Sequence, residues 1–158
     1  MSLKIIHTAD WHLGQTFFGY DRDEEHEAFL SWLIDILTLR QTDVLLIAGD
    51  VFDVANPSAA AQRRFFRFLR EANRHNPQLQ IVIIAGNHDS AARLEAPIPL
   101  LEELNTSIVG VVPRTDLCKI DFDSLLIPLY NKEGKREAIC LAVPYLRQGD
   151  YPLSLIHI

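Results

Sequence analysis

Three short stretches of this chain carry the side chains that could do chemistry, and each of them follows an apolar run. They read "HTADWH" (7–12), "AGDVFD" (48–53) and "AGNHDS" (85–90). The stretches offer carboxylate oxygens, an amide oxygen and imidazole nitrogens, with no thiolate among them. That donor set suits Mn²⁺, Mg²⁺ or Fe better than a structural zinc. The expected chemistry is therefore that of a metal-dependent reaction.

Four residues of these stretches have the spacing of ligands to a shared metal centre. Asp10 and His12 lie two residues apart, and residues i and i+2 of an extended chain point the same way. Asp50 lies 40 residues after Asp10, and Asn87 lies 37 residues after Asp50, so each interval fits one strand-plus-helix unit. If the strands are neighbours, all four side chains converge. Two ions about 3.5–4 Å apart would then activate a water and clamp a phosphoryl oxygen, with Asp50 bridging them.

The residues that follow Asn87 could assist the reaction. His88 could donate a hydrogen bond or a proton to a phosphate or a leaving oxygen, with Asp89 orienting its ring. Asp53 either orders its loop as an acceptor behind the ligands or only caps that loop. Each motif alone could also be a turn or a helix cap. Their occurrence at three consecutive strand ends favours a metal site.

The remaining histidines are not interpreted as ligands. His7 lies within the first apolar run and is predicted to be a packed core histidine, whereas His26 and His75 are predicted to lie on solvated helix faces. Trp11 and Leu13 are expected to pack under the metal loop, and two glycines, Gly49 and Gly86, are expected to allow close backbone approach to the ions.

The elements that position these residues alternate between strand and helix as far as residue 105. Strands are predicted at 3–8, 44–48 and 80–86, and helices at 23–41, 56–75 and 90–105, the last interrupted by Pro97 and Pro99. That order indicates parallel strands with crossover helices, and ligands gather at the carboxyl ends of such strands. Short strands with tight connections follow, at 107–113, 117–122, 124–130 and 138–146.

The composition is that of an ordinary globular protein. The chain has 158 residues, which suits one domain or a large piece of one, with 48% hydrophobic and 23% charged residues. Its net charge of −6 argues weakly against a simple DNA-coating protein, unless bound metal ions reverse the local field. Cys118 and Cys140 are predicted to be buried thiols in a reducing cytosol. No secretory signal or membrane span is recognised, so we expect a cytoplasmic protein.

The three motifs as a set resemble those of the calcineurin-like metallophosphoesterases. D-x-H stands as "ADWHLG", G-D-x-x-D as "AGDVFD" and G-N-H-D as "AGNHDS". The longer "HTADWHLGQ" is similar to the SbcD family, the nuclease subunits of SbcCD complexes, and "CLAVPYLRQGDY" is similar to its I/L-P-F/Y-L-R segment. The resemblance runs from about residue 3 to about residue 150.

The resemblance implies a fold and a site. The fold would be α/β, a β-sandwich flanked by helices in αββα layers, here truncated. The site would hold two Mn²⁺ ions, with Mg²⁺ possible, at Asp10, His12, Asp50 and Asn87, and His88 would act on the phosphate. The implied activity is that of a phosphodiesterase that cuts DNA, as a double-strand exonuclease and a single-strand endonuclease, in repair, recombination and replication.

The resemblance also implies partners. These are DNA, the SMC-like ATPase subunit SbcC, and a second copy of the chain that contacts helices equivalent to 58–74 and 90–104. Phe66 lies off the apolar stripe of the first of these helices, which adds apolar surface for such a contact. The segment "RRFFRFLR" could instead present its basic residues to solvent.

One departure from the family pattern limits these expectations. The family's later histidine and its G-H-x-H motif are absent, and His157 in "LIHI" does not match their context. Residues 1–158 are therefore expected to be the N-terminal portion of a nuclease domain, without its C-terminal part, capping region and ATPase-docking region, and to bind metal weakly. Two rivals stay open: a phosphoesterase acting on a small nucleotide or phosphoprotein, and an inactive fragment that serves only dimerisation or DNA-end contact.

Overall fold

The computed structural model describes residues 2–101, 104–116, 119–148 and 150. Cys118, His157 and part of the predicted helix at 90–105 lie outside the described residues. The strands are β1 (Ile5–Thr8), β2 (Thr16–Phe17), β3 (Tyr20–Asp21), β4 (Val44–Ala48), β5 (Gln80–Ile84), β6 (Thr106–Val109), β7 (Leu126–Tyr130) and β8 (Arg136–Leu141). The helices are α1 (Asp23–Leu39), α2 (Ala59–His75), α3 (Ala91–Glu95) and α4 (Ile98–Leu101).

The predicted strand–helix alternation is confirmed by a four-stranded parallel sheet in the order β1-β4-β5-β6. Its register pairs Ile6 with Leu45, and Leu45 with Ile81. The central strand β4 is apolar at every position because helices cover one face of the sheet and a hairpin covers the other. The carboxyl ends of β1, β4 and β5 consequently meet at one edge, which the three polar stretches extend.

Helices α1 and α2 pack on one face of this sheet. Leu30, Leu33 and Leu37 of α1 are buried at helical spacing, and they join the larger core with Phe65 and Phe68 of α2. Helix α2 begins at Ala59 rather than at residue 56, because the Ser58 hydroxyl accepts the N–H of Ala61 at 3.1 Å and caps the helix.

An ion-pair cluster joins the same two helices. The buried Arg64 of α2 lies 2.8 Å from the Asp23 carboxylate and 2.9 Å from the Glu27 carboxylate, both on α1. A guanidinium can be buried at acceptable cost when carboxylates pair with it, so this cluster links the two helices.

The antiparallel hairpin β7–β8 packs on the opposite face of the sheet. It contributes Leu125, Leu129 and Ala142 to a second cluster that contains Val44 and Val82. The described residues therefore form helix, parallel-sheet and hairpin layers, in agreement with the α/β class expected from the sequence. Among them, no helix is both long and apolar enough to cross a membrane.

Two histidine predictions are wrong, and both errors have tertiary causes. His7 is exposed because it lies on β1, an edge strand of the described sheet. The hairpin packs over residues of β4, β5 and β6 instead. His26 is buried, because it precedes Leu30 by one helical turn on the face of α1 that meets the core. His75 is exposed at the end of α2, as predicted.

The prediction that Trp11 and Leu13 are packed beneath the polar loop is confirmed. Trp11 and Leu13 are buried, and the ring of Trp11 meets those of Phe29 and Phe68 edge-on. Cys140 is half-buried against the second cluster. The polar loop that follows β1 is thus anchored from below by aromatic packing.

A matched pair of Phe→Ala substitutions measures how far the larger core controls stability. Phe65 is fully buried among aromatic rings, so we expect Phe65→Ala to lower the free energy of unfolding by about 3–5 kcal/mol. Phe17 is 65% exposed in the hairpin β2–β3, so Phe17→Ala should change it by less than about 0.5 kcal/mol. Urea unfolding followed by circular dichroism gives both values, and equal effects would contradict the assigned core.

Candidate metal centre

Backbone hydrogen bonds join the loops that follow β1 and β4. The N–H of Asp10 donates to the carbonyl oxygen of Gly49 at 3.1 Å, and the N–H of His12 donates to that of Asp50 at 2.9 Å. These bonds continue the pairing of the two strands past their carboxyl ends. The first two polar stretches are therefore held side by side.

Three candidate ligands occupy the left-handed region of backbone conformation. The φ angle is 55° at Asp10, 46° at His12 and 47° at Asp50. Side chains with a Cβ enter this region at a cost, and residues retained there cluster at functional sites where the surroundings enforce the conformation. The crossing backbone bonds supply that enforcement here.

Two overlapping groups of side chains could each hold a metal ion. Ligand atoms of Asp10, His12 and Asp50 all lie within 4.8 Å of one another, and so do those of His12, Asp53 and His88. The Nε2 atom of His12 lies 3.8 Å from the Oδ2 atom of Asp50. Carboxylate and imidazole groups without a thiolate form a donor set that fits Mn²⁺ or Mg²⁺ better than a structural zinc.

Asp53 determines how His12 presents its ring. The Nδ1 atom of His12 lies 3.2 Å from the Oδ1 atom of Asp53 and can donate its hydrogen there. That contact leaves Nε2, the nitrogen nearer to Asp50, free to bind an ion. Of the two interpretations open for Asp53, the geometry supports the acceptor behind a ligand.

The absence of a side chain at Gly86 leaves room for the carboxylate of Asp50. A Cβ atom added to Gly86 would lie 2.1 Å from the Oδ1 atom of Asp50, and one added to Gly49 would lie 3.0 Å from the Cα atom of Gly86. The close approach expected at these glycines is therefore an approach of the two loops to each other. It lets the backbone N–H of His88 donate to the Oδ1 atom of Asp50 at 2.9 Å.

Asp89 has a different environment from the one expected. Its side chain is fully buried, and its carboxylate accepts the backbone N–H groups of Val51 at 3.1 Å, Phe52 at 3.0 Å and Gly86 at 2.9 Å. The ring of His88 instead donates from Nδ1 to the carbonyl oxygen of Asp53 at 2.7 Å. Asp53, not Asp89, makes the contact that orients His88, and Asp89 ties the second loop to the third.

The ring of His88 is exposed above this cluster, with its centre 4.9 Å from that of His12. The hydrogen bond to the Asp53 carbonyl raises the pKa of His88 above its ordinary value, and the carboxylates of Asp50, Asp53 and Asp89 add to the increase. Because Nδ1 carries the hydrogen of that bond, Nε2 is the ring nitrogen that remains available to a substrate.

Asn87 lies between Gly86 and His88, at the same edge as the other three candidates. It borders an open cleft of about 470 Å³, whose other lining residues are Tyr145, Leu146, Arg147 and Gln148. Its role as a ligand stays a prediction.

Two residues near the centre were not predicted from the sequence. A guanidinium nitrogen of Arg147 donates to the carbonyl oxygen of Asp89 at 3.0 Å, and the only signal for it was its position in "PYLRQ". His26 borders a cavity of about 330 Å³ together with Asp10 and His12. The spacing of His26 with Leu30, Leu33 and Leu37 could have revealed that it faces inward.

Comparison with known proteins defines the class. The family model for calcineurin-like phosphoesterases matches residues 3–146. The chain therefore belongs to the calcineurin-like phosphoesterase family, as the three motifs predicted.

Curated relatives narrow the comparison. Over 150 residues, 95% of this chain and 37% of the relative, the chain is 50% identical to the SbcD subunit of nuclease SbcCD from Rhodobacter capsulatus. Over 94% of this chain and 34% of the relative, it is 38% identical to the protein of the same name from Escherichia coli K12. The Bacillus subtilis protein of that name is 39% identical over 77% of this chain and 31% of the relative. The chain spans about a third of the length of these relatives.

A glycine substitution tests the close approach of the loops. In Gly86→Ala the new methyl group would displace the carboxylate of Asp50, so we expect Mn²⁺ affinity to fall by about 10–100-fold. Gly134→Ala is the control, because its Cβ meets open space in the turn between β7 and β8 although its φ of 74° strains any side chain. Calorimetric titration with Mn²⁺ measures the affinity of each variant, and equal affinities in Gly86→Ala and Gly134→Ala would refute the assigned geometry.

His26 predicts how stability depends on pH. Burial lowers the pKa of His26 below 6.5, and the charges of Arg22 and Arg64 lower it further. The unfolded chain therefore takes up this proton before the folded chain does, so the contribution to stability falls as the pH drops below about 6.5. His26→Phe should reduce the loss of thermal stability between about pH 7 and pH 5. His75→Phe, at an exposed position, should leave that loss unchanged, and identical pH profiles for all three proteins would contradict the prediction.

Proposed function

We propose that this chain is the N-terminal part of the catalytic domain of a DNA nuclease subunit of the SbcCD type. The observation that carries the proposal is the convergence of Asp10, His12 and Asp50 at the carboxyl edge of the sheet. The 50% sequence identity to the Rhodobacter capsulatus subunit supports it. The reaction is hydrolysis of a DNA phosphodiester, with exonuclease action on duplex DNA and endonuclease action on single strands.

Asp10, His12, Asp50 and Asn87 would hold two Mn²⁺ ions, with Mg²⁺ as the alternative. When bound, such ions activate water and neutralise the charge that develops on a phosphoryl oxygen. Asp50 would contribute its Oδ2 atom, because the N–H of His88 holds its Oδ1 atom and Oδ2 lies 3.8 Å from the Nε2 atom of His12. Asp53 acts behind these ligands by setting the ring of His12.

His88 is the residue we assign to proton transfer. Its Nδ1–H is held by the Asp53 carbonyl, so its Nε2 atom can donate a hydrogen bond or a proton to the leaving oxygen of the substrate. Asp89 contributes by positioning the loop that carries His88.

The proposal includes two protein partners and a location. An SMC-like ATPase of the SbcC type would act with this subunit, and the complex would work in the cytoplasm on DNA. A second copy of the chain would contact α2 and the region of α3 and α4. The exposed arginines of α2, Arg67, Arg70 and Arg74, pair with carboxylates of α1 and α2, so a contact through α2 would be polar as well as apolar.

Two substitutions in the full-length gene product test this function. Asp50→Asn should abolish Mn²⁺-dependent cleavage of linear duplex DNA, and His88→Ala should lower its rate by about 10²–10⁴-fold. Asp35→Asn, the same chemical change at an exposed position of α1, should cleave normally. Substrate preference separates the rivals, because a phosphoesterase for small molecules would hydrolyse bis(p-nitrophenyl) phosphate and leave DNA intact. Failure of residues 1–158 by themselves to bind Mn²⁺ at millimolar concentration in a calorimetric titration would favour the inactive fragment.

A further inference from the structure

The segment that follows β8 lies against the third polar loop. The N–H of Tyr145 donates to the carbonyl oxygen of Ala85 at 2.8 Å, directly after β5. The guanidinium of Arg147 donates to the carbonyl oxygen of Asp89 at 3.0 Å, on the other side of Asn87 and His88. Residues 145–147 are therefore fixed to both ends of the loop that carries His88.

Asp150 closes this segment into a short turn. Its carboxylate accepts the backbone N–H of Arg147 at 2.6 Å, and its own N–H donates to the carbonyl oxygen of Arg147 at 2.8 Å. These contacts use the backbone of Arg147, so its guanidinium keeps donors beyond the one given to Asp89. A planar group with several N–H donors suits recognition of phosphate oxygens.

The cleft beside this segment combines three kinds of recognition chemistry. Its volume is about 470 Å³, and Asn87, Tyr145, Arg147 and Gln148 are among its lining residues. Tyr145 is 53% exposed, which leaves its ring accessible to a stacking partner. An aromatic face binds a base by stacking, a guanidinium binds phosphate, and a carboxamide can hydrogen-bond a base edge.

We propose that this cleft is a subsite for the nucleotide next to the scissile phosphate, with Arg147 on the neighbouring phosphate and Tyr145 stacked on the base. The inference rests on the proposed function and names its substrate class as a polynucleotide. The electrostatics support it: the adjacent centre holds the carboxylates of Asp10, Asp50 and Asp53, which repel an anionic strand in the absence of metal, whereas Arg147 places a cation beside Asn87.

Equilibrium binding of a fluorescein-labelled oligonucleotide of six thymidines, in buffer with Ca²⁺, tests the subsite in the full-length gene product by fluorescence anisotropy. Tyr145→Ala should weaken binding by at least about fivefold, and Tyr145→Phe should restore it, because stacking needs the ring and not the hydroxyl. Arg147→Gln should weaken binding by about fivefold or more. Arg136→Gln removes the same charge on the distant strand β8 and should stay within about twofold of the parent protein.

Hydrolysis of bis(p-nitrophenyl) phosphate separates the subsite from the centre itself. This small diester has no base to stack, so its Mn²⁺-dependent hydrolysis should persist in Tyr145→Ala. If Tyr145→Ala and Arg147→Gln both bind the oligonucleotide as Arg136→Gln does while Tyr145→Ala retains hydrolysis, the subsite is refuted and the proposed function stands. If the parent protein neither binds the oligonucleotide nor cleaves any diester, the proposed function fails and the subsite falls with it.

Discussion

The carboxylate of Asp89 is the constraint on which the arrangement of the metal centre depends. A fully buried charge costs several kcal/mol unless hydrogen bonds compensate it, and here three backbone N–H groups do so. Two of them, from Val51 and Phe52, belong to the loop after β4, and the third, from Gly86, belongs to the loop after β5. One side chain thereby fixes the distance between the loop of Asp50 and the loop of His88. The bond from Arg147 to the carbonyl of Asp89 adds a third segment to the same unit.

The rigid packing of these loops holds three residues in an unfavourable backbone conformation. Asp10, His12 and Asp50 hold left-handed conformations, which a free loop would relax. The hydrogen bonds from Asp10 to Gly49 and from His12 to Asp50 prevent that relaxation. Trp11 lies between Asp10 and His12 in the sequence and is buried against Phe29 and Phe68. The first loop is therefore anchored in the core as well. The candidate ligands are thus held in place by the protein itself, which would lower the cost of ordering the site when an ion binds.

The chain is acidic, whereas the substrate proposed for it is an anionic polymer. The net charge is −6, and the two groups of possible ligands contain three carboxylates. Divalent ions reverse the sign of the field at such a centre, so under the proposed function its carboxylates would let DNA phosphates bind through metal. The guanidinium of Arg147 places a cationic group at the edge of the centre, beside the cleft.

The sequence alone determined the alternation of strands and helices and the placement of Asp10, His12, Asp50 and Asn87 after the carboxyl ends of three strands, whereas the order of the strands in the sheet came from the structure. Both follow from local information, since apolar runs define strands and parallel strands align their carboxyl ends. Tertiary structure decided the rest. Asp89 meets Val51 and Phe52 across 38 and 37 positions of sequence, and Arg147 meets Asp89 across 58. His7 is exposed because the hairpin covers β4, β5 and β6 instead of the edge strand β1, whereas the helical spacing of His26 with Leu30, Leu33 and Leu37 already indicates that it faces inward. No local pattern encodes the contacts of Asp89 and Arg147 or the exposure of His7, because these arise only when separate segments pack together.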